Sequence, residues 1–390
     1  MPLPTLATLT EEEQLIVSQV RRFVEKEVLP VASELEHRDE YPHQLVEQMK
    51  QMGIFGVAVP PEYGGLGLSF TTYAAIVEEL CRGWMSLGGI VNGAVIVSWM
   101  IKTFGTEDQK QRLLPRIASG EALCGVCMTE PNAGSDLQSI QTVATRDGDD
   151  YVINGTKMFV SNGIYGKFFA VLTKTDPTAR PPYAGMSVFI VEKERTPGLT
   201  TGRKIEKLGY KGIETTEFFF ENARVPAANL LGGEEGKGWY HMMSGIEVGR
   251  VNVAARAVGV ATAALEDAIR YAKQRVAFGR PIAEHQAIQL KIADMATKVE
   301  AARLLVRAAA AKKDTGERAD LWGGMAKLFA SEVAQEVALE ALRIHGGYGY
   351  TKEMRVERYY RDTPLMLIGE GTSEIQKLII ARNILKLFGE

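Results

Sequence analysis

The stretch MMSGIEVGRVNVAARAVGVATAALEDAIRYAKQRV, residues 242–276, decides the fold class of this chain. It contains no proline, and small and apolar residues fill most of its positions. At 1.5 Å per residue, one helix over this stretch is on the order of 50 Å long. The sequence therefore predicts that the C-terminal part of the chain is built from long helices.

The segments that follow continue the helical pattern. Apolar residues recur there at steps of four and three, which is typical of the seam between packed antiparallel helices. These positions are Ile288, Ile292, Met295, Val299 and Ala302. Further helices near 321–344 and 373–387 complete a predicted four-helix bundle.

Before the long helix, short β-rich runs replace this pattern from about residue 122 to 225. The predicted strands are 123–128, 151–153, 157–160, 168–174, 186–192 and 216–220. Strands at this spacing favour a small sandwich or barrel. The first 125 residues again read as helices separated by turns, beginning at a capping box formed by Thr10 and Glu13.

This order of helices, strands and helices differs from the alternating pattern of a dinucleotide-binding parallel sheet. We predict an α+β fold, mainly α, in three domains. These are an N-terminal helical domain (1–125), a central small β-barrel or sandwich domain (126–235) and a C-terminal four-helix domain (236–390).

Composition excludes several classes of function. A net charge of -3 gives no electrostatic case for nucleic acid or an anionic membrane as the main partner. The most apolar windows, such as 87–101, are shorter than the roughly 20 residues of a membrane span. Three cysteines cannot form a disulfide framework, and the first residues lack a targeting pattern, so we expect a cytoplasmic protein.

Three short motifs suggest a bound metal or phosphate only weakly. Cys124 and Cys127 form a CxxC, but residues three apart on a strand point to opposite faces, which favours plain buried cysteines. The glycine-rich loop at 64–67 follows no strand, and 232–238 fails the P-loop pattern at both ends. Five scattered histidines without a paired spacing make a catalytic metal unexpected.

Two segments in the β region offer groups that could hold a polar ring. MTEPNAGSD (128–136) is an exposed turn after a strand, with backbone N–H groups and hydroxyls suited to a ring or a phosphate, or to a structural turn alone. KMFVSNG (157–163) places an aromatic and a hydroxyl two residues apart, hence on the same face. That pair could stack on a ring and donate to it, or serve core packing and a strand-end cap.

Three segments near helix ends carry charge or glycine. RVAFGRP (275–281) closes the long helix, where an arginine could bind phosphate or complement the helix dipole. RIHGGYG (343–349) is a glycine-rich helix exit. IGEGTSEIQ (368–376) sets one carboxylate, Glu370, between two glycines. It is either a charge at a helix start, with Ser373 and Gln376 as a capping box, or a catalytic base.

Together these segments resemble the acyl-CoA dehydrogenase family over essentially the full length of the chain. The resemblance implies FAD between the β domain and the C-terminal helices, with acyl-CoA against the flavin. The flavin contacts that it implies within one subunit are Met128, Thr129, Gly134, Ser135, Phe159, Ser161, Thr372 and Glu374. The contacts implied to reach the FAD of a neighbouring subunit are Arg275, Phe278, Gln286, Arg343, Gly346 and Gly347.

Three of these positions depart from the family's usual residue. Phe159 stands where tryptophan is usual, Arg343 stands where glutamine commonly begins the motif, and Glu374 replaces a glutamine found in some members. The Phe159 ring leaves one polar group fewer at the flavin, while the Arg343 guanidinium could still reach a pyrophosphate.

The resemblance also assigns the substrate contacts and the base. The implied substrate contacts are Ser135, Glu247, Arg250, Glu370 and Gly371. Glu370 matches the base that removes the proton next to the thioester carbonyl, and its own N–H and a flavin ribityl hydroxyl bind the thioester oxygen. Some relatives carry the base on the long helix, but that position is Gly249 here. For Glu247, an exposed ion pair with Arg250 at i, i+3 is the alternative.

The implied function is oxidation of an acyl-CoA to a trans-2-enoyl-CoA, in fatty acid or branched-chain acyl-CoA metabolism, with electrons passed to an electron-transferring flavoprotein. A homo-oligomer is implied, most simply a tetramer built as a dimer of dimers. An oxidase that uses oxygen, and a non-catalytic protein that binds flavin or acyl-CoA, are the alternatives. Gly369, smaller than the aromatic of several straight-chain relatives, favours short or branched acyl groups.

Overall fold

The computed structural model describes residues 9–389, and the outermost residues of the predicted terminal domains lie outside this range. Within it, six α-helices precede the sheet. They are α1 (Glu11–Phe23), α2 (Ala32–His37), α3 (His43–Gln51), α4 (Phe70–Gly83), α5 (Met85–Phe104) and α6 (Glu107–Ala118). The predicted capping box is confirmed, since the Thr10 hydroxyl accepts from the N–H of Glu13 and the Glu13 carboxylate accepts from the N–H of Thr10.

The middle of the chain forms one curled sheet. Its strands are β1 (Cys124–Cys127), β2 (Val143–Asp147), β3 (Asp150–Ser161), β4 (Phe168–Lys174), β5 (Met186–Glu192), β6 (Leu199–Thr201) and β7 (Thr215–Pro226). Their order is β1-β4-β2-β3-β7-β6, and β5 pairs with β4. β1 runs parallel to β4, whereas β3 and β7 form a long antiparallel pair.

The observed strands differ from the predicted ones in two ways. The runs predicted at 151–153 and 157–160 belong to one strand, β3, whose pairing with β7 shifts after Ile153 and after Lys157. β2 and β6 were not predicted, because VATRD and LTT are too short and too polar to show a clear alternation.

The C-terminal part begins with the predicted long helix, which starts four residues earlier than expected. Its elements are α7 (Gly238–Gln274), the hairpin strands β8 (Val276–Ala277) and β9 (Arg280–Pro281), α8 (Gln286–Asp314), α9 (Asp320–His345), α10 (Val356–Ile368) and α11 (Ser373–Leu387). α10 was not predicted, since Pro364 lies inside it and charged residues fill its first turns. Four of these helices are the expected ones, and α10 packs beside α7 and α9.

α7 is the central helix of the molecule and packs against α4, α5, α8, α9 and α10. α5 and α7 are both long and apolar enough to span a membrane by length and hydropathy alone. In the fold, 72% and 100% of their apolar windows are buried by other parts of the protein, as in the core helices of soluble proteins. Cys81, Cys124 and Cys127 are unpaired and buried, which confirms that the CxxC cysteines pack as small hydrophobic residues.

Glycines let α5 approach its neighbours closely. A Cβ at Gly93 would lie 2.0 Å from the carbonyl oxygen of Cys124, so α5 rests directly on β1. On α7, a Cβ at Gly245 would lie 2.9 Å from the sulfur of Met100 and 3.0 Å from Ile96. These contacts place one face of α5 directly beside the N-terminal third of α7. The three-domain fold is as predicted, while the limits at 125 and 235 stay a prediction.

Candidate active site

The predicted base lies in a short loop between α10 and α11. The N–H of Gly369 donates to the carbonyl of Leu365 (2.8 Å) and closes α10. Glu370 follows with φ of 55°, and Gly371 has φ of 90°. A residue other than glycine in this left-handed region is uncommon and is found most often at functional sites. The backbone here is therefore held in a strained conformation that aims the side chain of Glu370 back toward α7.

Side chains from α9 and α11 hold the carbonyl groups of this loop. The ammonium of Lys327 donates to the carbonyl of Gly371 (2.7 Å), and the Gln376 amide donates to the carbonyls of Glu370 (3.0 Å) and Gly371 (3.1 Å). The predicted capping box of Ser373 and Gln376 is therefore wrong. The N-cap is Thr372, whose hydroxyl accepts from the N–H of Ile375.

The Glu370 carboxylate is enclosed on three sides. Its Oε1 accepts a hydrogen bond from the Asn92 amide (2.5 Å) and lies 3.8 Å from the Arg256 guanidinium. Its Oε2 has no hydrogen-bond partner among the described residues. A Cβ at Gly249 would lie only 1.9 Å from Oε2, so the missing side chain on α7 makes room for the carboxylate.

Burial has the largest effect on the pKa of this carboxylate. It raises the pKa of Glu370 above the ordinary value, against the opposing effects of Arg256, the Asn92 hydrogen bond, Arg250 and Lys327, in that order. The dipole at the start of α11 also favours the anion. Desolvation outweighs these effects, so the pKa of Glu370 lies above that of a solvated glutamate and its carboxylate is the stronger base.

The Arg256 guanidinium belongs to a buried network behind the base. Its Nη1 donates to the hydroxyl of Tyr210 (3.1 Å), whose ring it also faces. The N–H of Tyr210 donates to the Asp362 carboxylate (2.6 Å), and burial raises the pKa of Asp362 to about 7. The network joins α7, the loop before β7 and α10 beneath the predicted base.

Sequence reasoning missed Asn92, Arg256 and Lys327, all three of which lie around Glu370. The available signal was a polar or charged residue among small and apolar neighbours on a helix. Charged side chains are rarely buried unless they are paired, so each such residue indicates a partner elsewhere in the chain. The partner, Glu370, lies far away in sequence, so the pattern alone could not supply it.

Glu247 and Arg250 do not form the suggested ion pair, and neither is exposed. Glu247 binds the ammonium of Lys313 (2.9 Å), and Arg250 binds the Asp320 carboxylate (3.1 Å). Because Arg250 keeps a buried Nε without a partner in the described structure, it retains a donor. The exposed ion-pair alternative is therefore wrong, whereas a role at the substrate remains a prediction.

The structure brings together the flavin contacts predicted in the β domain. The N–H of Met158 donates to the carbonyl of Thr129 (2.8 Å), and this bond joins the turn after β1 to β3. Phe159 has φ of 56° and its ring is 58% exposed, and Ser161 follows on the same strand. The strained backbone thus leaves a large aromatic ring about half exposed to solvent. Such a ring offers a surface on which a planar ring can stack.

A buried ion pair holds the turn at 128–136. Lys157 binds the Glu130 carboxylate (2.7 Å) and also donates to the carbonyl of Met128 (3.2 Å). Glu130 in turn accepts from the N–H groups of Gln141 and Thr142. Gly134 and Ser135 stay exposed at the tip, and a Cβ at Gly134 would meet no atom within 4 Å.

A second group of predicted residues gathers at the other end of α7. Arg275, Gly346 and Gly347 line one cavity of about 450 Å³ together with Tyr271 and His345. Gly346 has φ of 60°, and a Cβ on either glycine would meet no atom within 4 Å. Two lining glycines and a cation make an open backbone cradle suited to phosphate groups.

The other residues of this group lie nearby but outside that cavity. Phe278 is 96% exposed at the tip of the β8–β9 hairpin, and Gln286 is exposed at the start of α8. Arg343 forms an ion pair with Glu340 and does not line the cavity, so the structure gives no support to a pyrophosphate contact for it.

Thr372 and Glu374, the last predicted flavin contacts, lie at the start of α11, close to the base loop. Thr372 already serves as an N-cap, while Glu374 is exposed. The residues present fit FAD: a half-exposed ring and a hydroxyl for the flavin, and a separate glycine-lined cradle with an arginine for the diphosphate. Met128, Thr129, Phe159 and Ser161 would hold the ring end.

Comparison with known proteins gives matches along nearly the whole chain. Family models described as the acyl-CoA dehydrogenase N-terminal, middle and C-terminal domains match residues 10–121, 125–223 and 236–385. An acyl-CoA dehydrogenase of Bacillus subtilis is 44% identical over 97% of this chain and 99% of its own length.

Two solved structures superpose on this chain with the same TM-score. Butyryl-CoA dehydrogenase from Megasphaera elsdenii has a TM-score of 0.94 and 38% identity, covering 97% of this chain and 99% of that one. A chain in a structure reported for the electron transferring flavoprotein of Acidaminococcus fermentans has a TM-score of 0.94 and 40% identity, with the same coverage.

Proposed function

The chain belongs to the acyl-CoA dehydrogenase family, and from this premise we propose that it oxidises a short acyl-CoA thioester to the trans-2-enoyl-CoA, with Glu370 as the base. Members of this family are FAD-dependent oxidoreductases, and this chain is one of them. The observation that carries the proposal is the Glu370 carboxylate itself. Its side chain is only 15% exposed, its pKa is raised, and its Oε2, which lies against Gly249 of α7, has no hydrogen-bond partner among the described residues.

Each residue at the site supports a part of this reaction. The unpaired oxygen of Glu370 would take the proton from the carbon next to the thioester carbonyl, and burial raises its pKa, which makes it a stronger base than a solvated carboxylate. Asn92 and Arg256 fix the other oxygen and so orient the unpaired one. When bound, FAD supplies the acceptor for the hydride that leaves the β-carbon.

The packing of α5 on α7 supports a short acyl group. Next to the base, a Cβ at Gly249 would lie 2.9 Å from Ile96. One turn closer to the N-terminus of α7, Met100 and Ile96 cover Gly245. Side chains of α5 thus fill the space beyond the base along α7. We propose that acyl groups of about four carbons fit, in keeping with the similarity to a butyryl-CoA dehydrogenase.

The proposal extends to the partners. An electron-transferring flavoprotein is the proposed electron acceptor, supported by the similarity to a chain from such a structure. A homo-oligomer, most simply a tetramer, is proposed because the cradle at Arg275, Gly346 and Gly347 and the exposed Phe278 ring lie at the far end of α7 from Glu370. A cytoplasmic location is proposed as well, since three unpaired buried cysteines suit a reducing compartment.

Anaerobic titration tests the reaction. The purified flavoprotein is mixed with acyl-CoA thioesters of increasing length, and the flavin absorbance is followed. Bleaching by short thioesters, followed by slow reoxidation in air and fast reoxidation with an electron-transferring flavoprotein, is expected. Rapid peroxide formation in air would identify an oxidase instead, and a lasting yellow colour with every thioester would identify a binding protein.

A further inference from the structure

Lys327 on α9 is a buried lysine to which none of the sequence motifs assigns a role. Its side chain is 0% exposed, and its ammonium donates to the carbonyl of Gly371 (2.7 Å) and, at 3.4 Å, to that of Leu367. An ammonium group is costly to bury unless hydrogen bonds and opposite charge compensate it. These two acceptors lie on either side of Glu370 in sequence.

The two carbonyls belong to the last turn of α10 and to the residue that follows the base. Between them, Glu370 has φ of 55°, a conformation that persists in residues other than glycine only where the surroundings enforce it. Lys327 connects both ends of this strained segment to α9. The Gln376 amide binds the Glu370 and Gly371 carbonyls from α11, so a neutral group also holds this loop and shares the Gly371 carbonyl with Lys327.

Charged groups from three other parts of the chain face Lys327. Burial lowers the pKa of Lys327 to about 8, with the strongest opposing effect from Glu370. Arg250 and Arg256 on α7 lower this pKa further, and Glu374 on α11 raises it. In return, Lys327 is one of the cations that lower the pKa of Glu370. The two groups are thus coupled electrostatically as well as through the loop.

We propose that Lys327 is a positioning residue for the base: its ammonium fixes the Leu367 and Gly371 carbonyls and thereby holds the Glu370 carboxylate against Gly249 of α7. This inference rests on the proposed function, because it assigns Lys327 a part in the action of Glu370. A merely structural lysine would stabilise α9 against the loop without affecting the ionisation of the base.

The test compares Lys327→Met, which keeps the chain length and removes the charge, with Lys327→Arg, which keeps a permanent charge. Lys26→Met, the same change at an exposed position just after α1, is the control. Flavin content and thermal unfolding report folding, and kcat and KM are measured from pH 5.5 to 10 with a short acyl-CoA.

For Lys327→Met we expect kcat to fall roughly 100-fold, the loss typical of a misplaced catalytic group, with KM changed less than threefold. The acid limb of the kcat profile should move to higher pH, because Glu370 loses a cation that lowers its pKa. The native enzyme should lose activity as pH rises through about 8, where Lys327 gives up its proton. Lys327→Arg should recover most of kcat and move that alkaline limb upward.

A second readout isolates the base from the rest of the reaction. Acetyl-CoA has protons on its α-carbon and no β-carbon, so only proton removal can occur, and it is followed as deuterium uptake by NMR. Exchange should slow in Lys327→Met and be unchanged in Lys26→Met.

The two failures are distinguishable. If the native flavoprotein neither bleaches with short thioesters nor exchanges acetyl-CoA, the proposed function itself is wrong. If the native enzyme reacts and a folded Lys327→Met variant matches it in kcat, pH profile and exchange, Lys327 is not a positioning residue. If Lys327→Met does not retain FAD, the Lys327→Arg variant decides the question. The proposal is overturned if the alkaline limb of Lys327→Arg coincides with that of the native enzyme.

Discussion

At the residue scale, two opposing effects act on Glu370. A carboxylate beside a helix start is stabilised as an anion by about 0.3–1 kcal/mol, which would make it a weaker base. Burial acts in the other direction and prevails, so its pKa is raised. The identity of the base could be predicted from IGEGTSEIQ through the family resemblance. Its environment could not, because Asn92 and Arg256 reach it from helices more than a hundred residues away.

Replacing Asn92 with leucine tests this electrostatic description. Leucine has nearly the shape of asparagine but cannot donate, so the Glu370 carboxylate loses a hydrogen bond that lowers its pKa. Because the reaction needs the ionised form, the acid limb of the kcat profile should move to higher pH, which narrows the pH range of activity from the acid side.

Ser98→Ala, a buried change two turns further along α5, is the matched control and should leave the profile in place. An Asn92→Leu enzyme whose acid limb coincides with that of the native enzyme would show that the hydrogen bond does not set the ionisation of the base.

At the element scale, the pattern predicted elements with strong periodicity and missed those without it. α7, β4 and β5 match their predicted ranges within a few residues. β2 and β6 are short and polar, and α10 contains Pro364, so a local pattern fails for all three. They are stabilised instead by strand pairing and by packing against α7 and α9, which depend on distant parts of the chain.

The crossing of α5 and α7 predicts a limit on acyl length. Ile96 lies against the Cβ positions of Gly245 and Gly249, so Ile96→Ala should open space next to the base. We expect kcat/KM to rise on the order of tenfold for acyl groups of six carbons, because each of the two additional buried methylenes contributes about 0.8 kcal/mol.

The same change should lower stability by about 2–5 kcal/mol through the cavity it creates, which urea unfolding would measure. Ile96→Val, a smaller truncation at the same site, is expected to give an intermediate preference. An unchanged order of substrates in both variants would mean that the acyl group does not extend along this face of α5.

At the scale of the whole molecule, the flavin contacts separate into two groups. One lies in the β domain, which Asn162 joins to α5, the helix that carries Asn92, and the other lies around the hairpin and the cradle at the far end of α7. The family resemblance predicts this division, whereas composition and periodicity do not. A homo-oligomer in which the second group of one subunit completes the flavin site of another would account for the almost fully exposed Phe278 ring.

Phe278→Asn tests the assembly without disturbing the hairpin. Phe278 and Gly279 both have positive φ, and Asn-Gly is the preferred pair for such a two-residue turn. The hairpin itself should therefore be at least as stable, while the exposed ring is lost. We expect weaker FAD retention, by tenfold or more in Kd, and a smaller species in analytical ultracentrifugation.

Leu15→Ser, which removes another exposed apolar side chain far from the cradle, should change neither property. Full FAD occupancy and an unchanged mass for Phe278→Asn would remove the reason for placing this hairpin at a subunit contact.

The most direct measurement compares the native flavoprotein with Glu370→Gln under anaerobic rapid mixing with butyryl-CoA. Glutamine keeps the size of the side chain and can still hydrogen-bond, but it cannot take the α-proton. Equal FAD content and similar binding of butyryl-CoA are expected, with flavin bleaching slowed by at least roughly 1,000-fold in the variant, in line with the loss of a general base. Bleaching of Glu370→Gln within tenfold of the native rate would contradict the assignment of Glu370 as the base.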